Sequence, residues 1–577
     1  MTIVDLSSML KRNMKLYVLI FLGGVCSYLA VLLGRDVAPV YLWLLAPGAG
    51  LGLLAYLEYR RLERDKLLSR LRQEWGTAEL ERDRNFADIR SLFDCADQVS
   101  TVIDDRTWHD LNMDTVFSRM DRTFTWPGAQ RLYQMLRTPM TDELETIAAR
   151  SRMISALEKD SRLREDIQVI LSRMDARIGS GLALLLWENP RVPLIHSPWL
   201  YRIMTILALL SPLLLFVSPR YITVVLLVFQ VNMYLHFNVQ KRIRAYFEGV
   251  RSLRQLINTS RKLRSLQYEP LDDVLRKIKE SLQTVQEFSK IVRYVGVEST
   301  DPFAHMFQQY FTIFFLAEVR GFYRALDFIE ANRSAIQELF LALGEIDALQ
   351  SVASYRVSLQ EYCEPSFVTE RSLELDGAYH PLLRDPVANS IKIGDKGIMI
   401  TGSNMSGKST FLRTVGLNVL MAQTIGTCTS RSYSACPMRL LSSIGRSDNV
   451  VEGKSYYMEE ALSVLRILDA VDSETVTLVI FDELYRGTNS EERIFAAQRV
   501  LEYLVCRNSL VLVATHDLEL TSLLGDQYTS FHFSERVSDL GLEFDYKLKK
   551  GPATTRNAIA LLRYLGYPEE ITKQQMS

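Results

Sequence analysis

The chain has 577 residues, several times the length of an ordinary domain, which excludes a single compact fold and calls for two or three domains with separate cores. Lysine plus arginine (67) almost balance aspartate plus glutamate (68), which argues against gripping nucleic acid through a global positive field and leaves only local basic faces. The six cysteines (Cys26, Cys95, Cys363, Cys428, Cys436, Cys506) are scattered, with no CxxC pair and no histidine at ligand spacing, and read as reduced structural thiols.

Two uncharged apolar runs come first, 16–34 and 38–57. Each has about the 20 residues that a helix needs to cross a hydrocarbon core of roughly 30 Å. Arg35-Asp36 between them leaves room only for a tight turn, so the pair reads as a transmembrane hairpin, and a cleaved leader fits poorly because a second span follows directly. A charged linker is expected over 58–94 and a helical segment over 95–190. A second, weaker hairpin follows over 199–237: its first arm contains Ser211-Pro212, and its second is interrupted by Gln230, Asn232 and His236. A buried hairpin in a soluble core is the alternative reading. Basic residues flank the spans (Lys11, Arg12 and Lys15; Arg60, Arg61 and Arg64; Lys241, Arg242 and Arg244), which places the N-terminus, the middle region and the long C-terminal region in the cytoplasm, as in a bacterial inner membrane.

Long helices are expected over 240–360. Residues 241–300 carry a local charge of +6, either a solvated or lipid-facing helix surface or a surface for DNA phosphates; the second would make binding fall steeply with salt.

The strongest chemistry lies further on. Gly402-Ser403-Asn404-Met405-Ser406-Gly407-Lys408-Ser409 satisfies GxxxxGK[ST], and it sits between a strand-like run, 397–401, and a helical pattern opening at Thr410. Strand, glycine loop and helix is the context in which backbone N–H groups and a helix N-terminus cradle phosphate. Lys408 is then expected to reach the β- and γ-phosphates of ATP and Ser409 to ligate Mg2+. A second buried-strand run, 477–481, ends in Asp482-Glu483, expected to hold Mg2+ and to activate the attacking water, respectively. A third, 510–514, leads to His516, placed to sense the γ-phosphate.

These motifs resemble the MutS family. Residues 401–410 are similar to its TGPNMGGKST, departing at Ser403 and Ser406; residues 482–488 are similar to DEIGRGT and residues 514–520 to ATHYHEL. Residues 444–449 and 453–460 resemble the family's IGASDD and GRSTFMVE stretches. The resemblance implies that Ser455 completes the ATP site of the opposite subunit in a homodimer. Upstream, Asp121-Arg122-Thr123-Phe124-Thr125 with Gly128 and Leu136-Arg137-Thr138-Pro139 is similar to the opening of the family's helical core, and residues 343–348 to the helix that returns to the ATPase. Membrane spans stand where the family carries its mismatch-reading domain, the phenylalanine-x-glutamate tripeptide of its wedge is matched only by Phe328-Ile329-Glu330 and Phe533-Ser534-Glu535 in the helical and ATPase regions, and Val387 stands where an adenine-stacking aromatic is expected.

The fold expected is an α/β P-loop NTPase of ABC/MutS type over 370–577, joined to an all-α, MutS-core-like domain and transmembrane helices. The activity expected is that of a membrane-anchored, ATP-driven dimeric switch, with DNA as a possible ligand. An ABC-type transporter is the first alternative, although no LSGGQ-type signature is present. A membrane scaffold that does not bind DNA is the second.

Overall fold

The computed structural model describes residues 3–77, 85–96, 102–174, 180–188, 198–288, 306, 310–403, 406–444, 456–471, 474–485, 489–538, 541–553 and 567–568. The chain divides into two compact units, Met1–Thr77 with Arg162–Ile170, and Ala78–Ser161 with Leu171–Ser577.

In the first unit, helix Ile3–Asp36 and helix Leu45–Glu74 are joined by a 3-10 turn at Pro39–Leu44. Small residues (Gly23, Ser27, Gly48) let the two backbones approach, and Lys15 meets Glu58 at 3.5 Å. Side chains such as Tyr17, Phe21, Leu53 and Leu57 point outward and are exposed. Residues 58–74, expected to begin a linker, continue the second helix without a break. Arg72 there makes a two-pronged bond to Glu165 (2.7 and 2.9 Å), and Arg164 lies over the Trp75 ring.

The second unit contains the helical core, the second apolar hairpin and the α/β body. Helix Trp126–Arg137 crosses helix Arg333–Ser358, and the crossing is organised by Asp347, which is fully buried. Its carboxylate accepts from the Phe124 and Thr125 N–H groups and from the Thr125 hydroxyl (2.6 Å). The Thr125 hydroxyl in turn accepts from the Gly128 N–H and so caps the first helix. Residues 86–95, expected as linker, form a helix whose Ile89, Leu92 and Phe93 are buried, with Phe93 beside Tyr133.

The second hairpin is helix Pro198–Leu210, 3-10 turns at Ser211–Phe216 and Pro219–Tyr221, and the long helix Ile222–Leu263. Pro212 lacks the N–H that an α-helix would need there, and the helix tightens into 3-10 at that point. Among the described residues, four segments are long and apolar enough to cross a membrane: Asn13–Asp36, Pro39–Glu74, Trp199–Phe216 and Pro219–Lys241. The stretch expected as long helices is interrupted by a turn at Glu269–Leu271, which Pro270 opens, and by Leu316, whose backbone is left-handed (φ 50°). Helices Asp272–Thr284, Ala317–Ala331 and Arg333–Ser358 lie between and after these breaks.

Among its described residues the C-terminal body holds three sheets, two larger ones and the antiparallel pair Glu535–Ser538 with Gly541–Phe544. Its strands are β1 Ser366–Phe367, β2 Leu373–Ala378, β3 Asn389–Ile393, β4 Gly397–Thr401, β5 Ser432–Ala435, β6 Arg439–Ser443, β7 Thr477–Asp482, β8 Ser509–Ala514, β9 Tyr528–His532, β10 Glu535–Ser538, β11 Gly541–Phe544 and β12 Lys549–Lys550. The larger sheet has the order β12-β9-β4-β8-β7-β6 and is parallel except for β12. Both β7 and β8 are buried along their whole length, as a strand covered on both faces requires. On one face Val479, Phe481, Val511 and Val513 pack with Val464, Ile467, Leu501 and Leu504; on the other Ile480 meets the helix Lys408–Ile425 near Gly416. The smaller mixed sheet, β1-β5-β2-β3, is an addition to the sequence expectation, and beside it Cys363 and Cys428 face each other across an isolated antiparallel bridge.

Candidate active site

The site forms where β4, β7 and β8 end side by side. After Thr401 the chain turns through Gly402 (φ 144°) and Gly407 (φ 104°), conformations that exclude ordinary side chains. A Cβ at Gly402 would stand 2.8 Å from the Phe533 carbonyl oxygen. Helix Lys408–Ile425 starts directly after Gly407, so its N-terminal N–H groups and dipole face the loop. Ser406, a departure from the family's glycine, is buried and donates to the Ser403 carbonyl at 2.8 Å, closing the loop on itself.

Lys408 is 4% exposed; its Nζ donates to the Gly402 and Ser403 carbonyls, both at 2.8 Å. Beside it, Ser409 donates its hydroxyl to Asp482 Oδ2 at the end of β7. The next residue, Glu483, has a left-handed backbone (φ 62°) and donates its N–H to the Ala514 carbonyl, which turns its side chain toward the end of β8. There His516 Nε2 lies 2.8 Å from Glu483 Oε1 and 3.2 Å from Lys408 Nζ. Residues far apart in sequence thus converge on one point: Lys408, Ser409, Asp482, Glu483 and His516. Ser403, Gly407 and Thr410 line the same cavity, of about 660 Å3. Asn404, Met405 and Ser455 lie outside the described residues, as does the stretch 445–450.

The far end of the cavity holds residues that the motifs do not reveal. His380 is buried, and burial, with Arg413 and Arg119 nearby, pushes its pKa down to about 4, so it stays neutral at physiological pH. Val387 does line the cavity, and Tyr546 supplies an aromatic ring from the other end of the domain. Asn389 fixes that residue from both sides: its amide donates to the Tyr546 carbonyl (2.9 Å), and its Oδ1 accepts from the Leu548 N–H (2.8 Å). Tyr546 packs over Gly407, where a Cβ would come within 3.2 Å of the ring. Nothing local marked this tyrosine; only the pairing of β12 with β9 and the Asn389 bonds carry it back to the loop.

Ser409 and Asp482 present a hydroxyl and a carboxylate oxygen together, the hard donors that Mg2+ takes. Among the described residues no group of three or more His, Cys, Asp or Glu that could hold a metal ion is found.

Comparison with known proteins places the chain in a family. A family model described as MutS domain III matches residues 99–353, and one described as MutS domain V matches residues 398–577. The DNA mismatch repair protein MutS of Natronomonas pharaonis is 31% identical over 254 residues, 42% of this chain and 29% of that protein. The protein of the same name from Streptococcus equi subsp. equi is 30% identical over 256 residues (42% and 30%), and that from Clostridium kluyveri 32% over 277 residues (44% and 31%). The matched part therefore spans about a third of the length of these curated relatives. Two domains of one family follow each other in this chain, a helical core and an ATPase-type body that carries the phosphate loop, and on that basis the chain belongs to the MutS family.

Proposed function

We propose that this chain is a membrane-anchored ATPase that works as a dimeric, nucleotide-driven switch. The observation that carries the reading is the convergence of Lys408, the Ser409–Asp482 pair and the Glu483–His516 pair at the ends of three adjacent strands. ATP hydrolysis needs little covalent help from the protein; it needs position and charge compensation. Lys408 offers the positive charge for the β- and γ-phosphates, in competition with the two carbonyls that hold it. Ser409 and Asp482 would hold Mg2+, which supplies further neutralisation of charge on the phosphoryl oxygens. Glu483 is the base for the attacking water, and His516 orients its carboxylate. At the other end of the cavity Tyr546 offers a ring face for the base, beside neutral His380.

The membrane part of the reading rests on four long apolar segments among the described residues, most of whose side chains are not buried. The dimer and the use of Ser455 in trans rest on the family. DNA is the ligand named for the relatives, and it enters here as the ligand to be tested first.

In detergent solution, Lys408→Ala is expected to abolish ATP turnover. Glu483→Gln is expected to lower it by about 100-fold or more while nucleotide still binds. Normal turnover in the lysine variant would overturn the assignment. Homoduplex, mismatched and branched DNA, added at low and moderate salt, separate a DNA-responsive switch from one that answers to protein or lipid. The wild-type chain is expected in the membrane pellet, released by detergent but not by alkaline carbonate; recovery in the carbonate supernatant would remove the anchor.

A further inference from the structure

The second hairpin carries polar residues that weaken it as a pair of spans, and the structure shows what they do. Asn232 is fully buried and donates its amide to the Phe314 carbonyl at 2.6 Å. Thr205, on the opposite arm, donates its hydroxyl to the Phe315 carbonyl at 3.0 Å. These two carbonyls lie where a short helical stretch, 310–314, ends: Leu316 turns left-handed, and helix Ala317–Ala331 starts afresh. A helix broken in this way leaves carbonyls without their normal intrahelical donors. In water such groups are solvated; in hydrocarbon each one left bare costs several kcal/mol. The hairpin supplies protein donors for both.

The aromatic side chains beside the break complete the contact. Phe229, in the middle of the hairpin's second arm, lies 6.2 Å from the Tyr310 ring and 6.1 Å from the Phe314 ring. Toward the basic end of the same arm, His236 meets Glu318 at 3.7 Å, and on the first arm Tyr201 stacks on Tyr323. The chain from Tyr323 back to Tyr310 therefore runs along the hairpin from its charged end toward its middle. At 1.5 Å per residue, Phe229 is about 18 Å from Lys241 along the helix, close to the centre of a hydrocarbon core of about 30 Å. Tyr310 and Phe311 are nevertheless about half exposed (55% and 48%), and Leu226, Leu227 and Tyr234 of the second arm are exposed too.

We propose that residues 310–316 are a third lipid-embedded element of the second hairpin: a half-helix that reaches the middle of the bilayer and is held there by Asn232 and Thr205, with Tyr310 and Phe311 facing acyl chains. The inference rests on the membrane reading of the hairpin. It also gives the embedded segment a direct covalent route to the α/β body. Helices Ala317–Ala331 and Arg333–Ser358 follow it, and the second ends where buried Arg356 bonds the Gly426 carbonyl (2.7 Å) and Thr427 hydroxyl (2.8 Å), just past the phosphate-loop helix.

The full chain, reconstituted in liposomes whose acyl chains carry a diazirine, is photolysed, and lipid adducts are mapped by mass spectrometry. Adducts are expected on Tyr310 and Phe311 as well as on the hairpin tip at Leu213–Val217, and none on two exposed residues away from the hairpin, Val357 at the end of helix Arg333–Ser358 and Leu383 in the α/β body. Adducts on the tip without any on Tyr310 or Phe311 would overturn this proposal and leave the membrane reading standing; absence from the tip would overturn both. Asn232→Leu makes the arm more apolar and removes the donor. It is expected to lower labelling of Tyr310 and Phe311 several-fold with the tip unchanged, and unaltered labelling there would overturn the anchoring role of Asn232.

Discussion

Tyr485 occupies a position where the family pattern has glycine, and its backbone keeps the left-handed form (φ 60°). For a residue with a Cβ that conformation costs roughly 1–2 kcal/mol. The side chain offsets it: the ring is buried with Leu484 and Val513, lies 6.1 Å from the Tyr457 ring, and the backbone N–H donates to Glu460 Oε1 at 2.5 Å. Both partners come from helix Tyr456–Ala470, which directly follows Ser455. The turn that carries Glu483 is thus fixed to the helix that leaves the proposed trans-acting segment. Replacing the ring forfeits a buried aromatic, a loss of roughly 3–5 kcal/mol. Tyr485→Ala retains the conformational penalty, whereas Tyr485→Gly removes it. Thermal unfolding of the solubilised chain is therefore expected to rank wild type above glycine and glycine above alanine, with the two variants separated by roughly 1 kcal/mol. A glycine variant no more stable than the alanine one would show that no strain is held at this turn.

Among the elements, the sequence was legible where chemistry is local. The phosphate loop, the acidic end of β7 and His516 could be read because each motif sits within a few residues of the strand that aims it. The helical core was legible as two separate runs, 121–128 and 343–348, and the structure shows that they are one feature. Asp347 bonds the Phe124–Thr125 backbone, and the helices cross so closely that a Cβ on Gly344 would stand 2.6 Å from the Pro127 carbonyl oxygen. Neither run names its partner, because helix periodicity shows which face is buried but not what covers it. The same limit hid Tyr546, which reaches the cavity through pairing of β12 with β9 and the bonds of Asn389, and the small sheet, whose strand β1 pairs with β5 some 68 positions later in the chain. In the second hairpin, Asn232 read as an interruption because hydropathy is a sum over one segment, and the carbonyl it serves lies in another.

At the scale of the whole molecule, the nucleotide state is the variable that drives the proposed switch, and its dimer arrangement is open to test. In a two-fold dimer each site would take its phosphate loop from one subunit and Ser455 from the other, so the two contributions are separable by mutation. A Lys408→Ala subunit has lost its loop but still lends Ser455, and a Ser455→Ala subunit has lost that serine but keeps its loop. Each homodimer has two damaged sites. A mixed dimer has one site damaged twice and one site intact. Equal mixing with free exchange of subunits makes half of the dimers mixed, with half of their sites repaired, so activity is expected to return to about a quarter of wild type. The recovery depends on dilution, because subunits must exchange in detergent before they reassemble. Two inactive variants that stay inactive together, despite crosslinking that shows mixed dimers, would place every catalytic group of a site in one subunit. The switch would then be driven by closure within a single chain, and helix Tyr456–Ala470, held to the Glu483 turn through Glu460, would carry the signal internally.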